Sequence, residues 1–207
     1  MDIHPPHAIR SFKDFLLQLL VITVGILIAL SLEGLLEAVH HRSLRNEARN
    51  NLMAEIHENQ RELTKVLRDA QGSQEQLEAI LSAIHDMQAH RRPAVRSLAL
   101  NWSVSPLHST SWLTARTTGA TSQMDYGEVM RYTRLYDLQG QYGAVQDRAF
   151  QTSLQVDALA PLAERAMKGQ LTATQLEDAE RVVGLALAEL VAEREIATAL
   201  QREYASF

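Results

Sequence analysis

The chain has 207 residues, 46% of them apolar, no cysteine, and a formal net charge of −5 at pH 7. That length allows one domain of ordinary size with additional segments, not two large domains. The acidic balance leaves no Lys/Arg excess for phosphates, so no nucleic-acid partner is expected, and the missing thiols exclude disulfides, cysteine nucleophiles and cysteine metal sites.

Residues 1–14 carry Arg10 and Lys13 and read as a short cytoplasmic segment. From Phe15 to Leu32 there are 18 residues without a charge, 13 of them Phe, Leu, Ile or Val. At 1.5 Å per residue they cover about 27 Å, close to the hydrocarbon thickness of a bilayer. Each such side chain contributes roughly 0.3–0.6 kcal/mol to insertion at the membrane centre, which Gln18, Thr23, Gly25 and Ser31 partly offset. We read 15–33, through Phe15, Leu20, Gly25 and Leu30, as a transmembrane helix with membrane lipid as its surroundings. The competing reading is a cleaved signal peptide, with Ala29 and Ser31 as the small residues of the cut. Against it, the apolar run exceeds the usual length, and Leu35, Leu36 and Val39 continue a helical pattern. Arg10 and Lys13 flank one end of the span and Glu33 and Glu37 open the other. The positive-inside rule then places the N-terminus in the cytoplasm and the rest of the chain on the periplasmic side of a bacterial inner membrane.

Beyond the span no proline occurs until Pro93, so 34–91 reads as a long amphipathic stalk helix. A heptad pattern places Ile56, Leu63, Ala70, Leu77 and Ile84 at one core position and Leu52, Asn59, Val66, Ser73, Ile80 and Met87 at the other, with Glu55, Glu62 and Asp69 flanking. The face marked by Leu52, Ile56, Leu63, Val66, Leu77, Ile80 and Ile84 serves either an oligomer or a bundle. Self-association of 43–207 through it is the expectation, and packing on the chain's own later helices is the rival. Gly72 before Ser73-Gln74-Glu75-Gln76 permits a helix stop with a new capping box, or a continuous helix, since one Gly costs only about 1 kcal/mol.

Residues 92–124 form a connector with Pro93, Pro106, both tryptophans, and ten Ser or Thr between Ser103 and Ser122, including a short helix around Trp112. Its indoles anchor it on the bundle, or Trp102, His108, Trp112 and Arg116 build a small ligand pocket. Residues 125–207 hold two helices. Asp125 with Glu128 and Thr172 with Gln175 read as capping boxes, each with apolar staples. The first helix carries Leu135, Leu138, Tyr142, Val145, Ala149, Val156 and Leu159, interrupted by Thr152. The second carries Leu176, Ala179, Val183, Ala186, Leu190, Ala197, Leu200 and Tyr204. Pro161 and Gly169 mark the reversal between them. The fold expected is all-α: one transmembrane helix continuing into a long amphipathic helix, plus an antiparallel helical hairpin forming a bundle.

Val24-Gly25-Ile26-Leu27-Ile28-Ala29-Leu30, followed by Glu47, Leu52, Glu55-Ile56 and Asn59, resembles a domain-of-unknown-function family of bacterial single-span membrane proteins. The resemblance is firmest over residues 12–65 and weaker over 112–136. Members often place Asn and Trp after the span, where Glu33-Gly34-Leu35-Leu36-Glu37 stands here. It implies a single-pass architecture and no activity.

Catalytic fingerprints such as GxSxG, a P-loop or HExxH are absent. Glu33, Glu37, His40 and His41 share overlapping helix faces, but a metal site of that kind needs a second such motif, and solvated side chains are the expectation. No cofactor and no catalysis are inferred. The expected function is a membrane-anchored helical scaffold or interaction protein, partnered by a second copy or another membrane protein. The alternative is a single-span ligand-sensing or regulatory subunit of a membrane complex, which needs a partner for output because only 14 residues precede the span.

Overall fold

The structure, a computed structural model, describes residues 12–93, 102 and 104–207. Arg10, most of the expected cytoplasmic segment 1–14, and Ser103 lie outside the described residues. Every regular element among the described residues is helical: α1 (Phe12–Gln88), α2 (Thr110–Thr117), a 3-10 turn (Ala120–Gln123), α3 (Tyr126–Asp157), α4 (Ala160–Met167) and α5 (Ala173–Tyr204). Two compact units divide at Glu47 and Ala48.

In the first unit the apolar stretch is exposed along its whole length, and none of its most apolar 18-residue window is buried by protein. Its hydroxyls are satisfied within the helix. Thr23 Oγ1 donates to the Leu19 carbonyl at 2.8 Å and Ser31 Oγ to that of Leu27 at 2.7 Å. A helix with all backbone groups paired and its hydroxyls folded back onto carbonyls presents little that requires water.

The second unit is organised by three long helical segments. α1 passes through Gly72 without interruption, and a Cβ there would meet nothing. Gly72 is therefore neither a stop nor a close-approach site, and the cost of one glycine is outweighed by the packing on either side. Leu52, Ile56, Leu63, Val66, Leu77, Ile80 and Ile84 are all at most 3% exposed. Leu77, Ile80 and Ile84 share a cluster with Val156 of α3 and with Leu176, Val183, Ala186 and Leu190 of α5. The stripe is thus covered by the same chain. This corrects the expectation of self-association through it, because a face already desolvated intramolecularly has no apolar area left to offer a second copy.

Polar pairs report the register. α1 and α3 match in the same order, Arg49 with Glu128, Glu55 with Tyr136 and Asn59 with Gln139. α1 and α5 match in opposite order, Thr64 with Gln201, Gln74 with Arg194 and His85 with Glu180. α3 and α5 also run in opposite order, Gln139 with Tyr204, Gln146 with Glu193 and Arg148 with Glu189.

The helix ends follow local chemistry. Thr172 and Gln175 form the complete capping box expected. Asp125 caps α3 by accepting from the Gly127 amide at 2.8 Å, but Glu128 does not reach back to complete a box. Instead it holds Arg49 through both carboxylate oxygens, with Nε at 2.7 Å. A bidentate charge-assisted pair outcompetes a single capping bond. Between α3 and α5 the expected reversal contains the additional helix α4, with Pro161 in its first turn, where a missing N–H costs nothing. α4 closes on Gly169 at φ 66°, with Gln170 N–H bonded to the Arg165 carbonyl. α1 closes in the same way on His90, φ 54°, a position where glycine is the common choice.

Candidate functional site

The connector is not a free loop. It is hooked onto α1 and α3 by a line of buried polar groups. Asn59, fully buried, uses both ends of its amide on one residue: Oδ1 accepts the His108 N–H at 2.8 Å and Nδ2 donates to the His108 carbonyl at 2.7 Å. An Asn side chain used this way copies the pairing of a neighbouring strand and fixes the backbone of residue 108. Gln139 Nε2 also donates to the His108 carbonyl, at 2.9 Å, and Gln139 Oε1 accepts from the Tyr204 hydroxyl at 2.6 Å. One turn earlier on α1, Glu55 accepts from the Tyr136 hydroxyl at 2.7 Å and from the Ser111 amide at 2.8 Å. One turn later, Glu62 accepts from Ser105 Oγ at 2.7 Å. Three side chains spaced as 55, 59 and 62 therefore hold residues 105–111 along one face of α1.

Aromatic rings close this end. Trp112, buried, stacks on Tyr136 with centroids 5.5 Å apart and planes within 2°, and leans on Tyr132 at 6.1 Å. Tyr132 packs on Phe207 at 5.1 Å, and Arg131 lies 4.4 Å over the Phe207 ring while donating to the Ser206 carbonyl. Burial, then the Glu55 carboxylate that accepts its hydrogen, pushes the Tyr136 phenol far above its ordinary range, and burial does the same to Tyr204. These phenols are hydrogen-bond donors, not acids, at any physiological pH.

Of the residues expected to line a pocket, Trp112 and Arg116 come together, the guanidinium 5.9 Å from the indole centre. His108 enters through its backbone while its side chain is exposed. Trp102 is half-buried against the cluster of Leu77, Ile80 and Leu176. Among the described residues no group of three or more His, Asp or Glu is placed to hold a metal ion. His41 sits 3.8 Å from Glu37 one turn away.

A second polar layer lies deeper in the same core. Glu193 is 2% exposed, and Gln146 Nε2 donates to it at 3.3 Å while also donating to the Tyr142 hydroxyl. Burial pushes the Glu193 carboxyl up to about 7, slightly offset by the Gln146 bond.

The α3 stripe expected through Leu138, Val145 and Leu159 is only half-buried at those three positions. The buried face is turned toward Gln139, Gln146 and Ser153, which the apolar pattern did not mark. On α5 the buried Glu193 fills the step left open between Leu190 and Ala197, and that gap was the available signal. Comparison with protein-family models, curated proteins and solved structures brings no significant match.

Proposed function

We propose that the chain is a non-enzymatic, membrane-anchored helical scaffold or interaction protein. In this reading 15–33 crosses a bacterial inner membrane, the N-terminus is cytoplasmic, and the unit from Ala48 onward is periplasmic, where it presents a surface to another membrane protein or to a second copy. α3 and α5 act as an antiparallel hairpin that packs as a bundle with the second half of α1. The chain is grouped with the single-span family of unknown function that its Val24–Leu30 core resembles.

One observation carries this reading: an 18-residue apolar window that no part of the fold buries. A buried soluble helix of that composition would have protein around it, whereas lipid covers such a surface without any. The elaborate fastening of the connector adds support of another kind. Residues 105–111 are held by side chains of α1 and α3, as suits a rigid docking module.

Topology is the accessible test. A reporter active only outside the cytoplasm, fused after Phe207, is expected to be active, following the Arg10 and Lys13 bias. Activity of a cytoplasm-only reporter at the same site reverses the orientation and moves the bundle to the other face of the membrane.

A further inference from the structure

We propose that Glu193 is a pH-operated latch in the α1, α3 and α5 core: protonated, it is held in the closed bundle, and ionised, it drives α5 off α3 at that level. The geometry is that of a carboxyl built into a helix interface where a methyl group would be expected. It follows Leu190 and precedes Ala197 on the buried stripe of α5. Opposite stand Tyr142, Gln146 and Ala149 of α3, all buried. The Gln74 and Arg194 pair sets the α1 register, bringing the buried Ala70 and Ser73 to this level.

The charged groups around the latch do not compensate it. On α3, Asp147 and Arg148 are exposed, and Arg148 faces Glu189 at 3.8 Å. On α5, Arg194 turns to Gln74 and Glu195 is exposed. On α1, Arg68 and Glu75 are exposed and Asp69 is half-buried. Tyr142 is the titratable side chain facing Glu193, and burial followed by the Glu193 charge pushes its phenol further from ionising. Among the described residues the ionised form of Glu193 therefore meets neutral dipoles, while the protonated form suits the site. That asymmetry is what raises its carboxyl to about 7.

The direction follows from proton linkage. A carboxyl whose folded-state pKa is raised keeps its proton more tightly in the closed bundle than in the open one. Closure is thus most favoured at acid pH, weakens as pH rises from the ordinary Glu value of 4.5 to about 7, and stays at its weakest above that. With no cation paired to it among the described residues, moving to higher pH brings no recovery.

The test uses the full chain in detergent micelles. Hydrogen exchange of α5 peptides around residues 186–200, corrected for the intrinsic rate, is followed from pH 5 to pH 8 in wild type and in Glu193→Gln. The wild-type opening constant is expected to rise on the order of a hundredfold across that range relative to the variant. Glu193→Gln should be the more protected at pH 8. Parallel pH profiles for the two proteins, or a variant less protected than wild type at pH 8, overturn the latch. Should the variant fold poorly, the infrared C=O stretch of protonated carboxyls in the wild-type protein decides. One carboxyl is expected to keep its proton until near pH 7, and titration of every carboxyl near the ordinary value overturns the proposal.

Discussion

Replacing Leu63 and Leu77 together by Asp is expected to unfold the unit from Ala48 onward, not to dissociate an oligomer. Both side chains are 0% exposed, and Leu77 belongs to the cluster it shares with α3 and α5. Each substitution forfeits roughly 1.5–3 kcal/mol of apolar burial. Each also buries a carboxylate, at a further cost of several kcal/mol, and at Leu77 the surrounding cluster is apolar. Two such changes together match or exceed the ~5–15 kcal/mol that holds a typical domain. Far-ultraviolet circular dichroism of the full chain in micelles should show a large loss of helix, with the apolar helix before Glu47 retaining its share. Leu63→Met and Leu77→Met, which keep volume and polarity, should cost under ~1.5 kcal/mol each. A double Asp variant that keeps its helicity and changes only its sedimentation would show that the stripe faces another copy after all.

The second large effect is expected at Asn59. Asn59→Leu keeps the branch at Cγ but strips His108 of its N–H acceptor and removes one donor from its carbonyl, and it takes a neighbour from Gln139. An unsatisfied buried polar group costs about 1–3 kcal/mol, and the His108 N–H and the Gln139 amide are both affected, so a loss of roughly 2–5 kcal/mol follows. Because the Asn59 bonds fasten the connector, the loss should be visible locally as well. Limited proteolysis should open residues 104–109 in the variant under conditions where wild type is resistant, and the denaturant midpoint should fall. Wild-type resistance with an unchanged midpoint would mean that Glu55 and Glu62 hold the connector without Asn59.

The parts of this fold that sequence makes legible are those whose signal is local. The apolar run of α1 is read from composition alone, and the Thr172 and Gln175 box from a spacing of three. The core stripe of α1 is visible because its seven positions recur with helical period, although periodicity says nothing about what covers them, and the covering helices came from the same chain. Glu128 departs from its expected role for a related reason. Its local role as a capping partner lost to an arginine 79 positions away, and no window of the sequence shows that competition. α4 was hidden because Pro161 marks a chain reversal and a first helical turn equally well.

The candidate site was legible only in outline. Of the four residues of the expected pocket, Trp112 and Arg116 come together. The anchoring of residues 105–111 depends on Asn59, Gln139 and Tyr204, which lie in three different helices, so no local pattern announces it. Asn59 was visible as a polar residue in an apolar seam, and its structural use explains the exception: it replaces the backbone partners of His108. Glu193 was legible only as the missing step between Leu190 and Ala197.

The central claim is that residues 15–33 hold the chain in a lipid bilayer, and extraction of native membranes tests it most directly. After washing with high salt and then alkaline carbonate, the full-length chain is expected to remain with the membrane pellet and to enter solution only with detergent, since 13 strongly apolar side chains in the span favour insertion by about 4–8 kcal/mol. Release by carbonate as an intact chain, or recovery of a soluble chain beginning at Leu32, would contradict it.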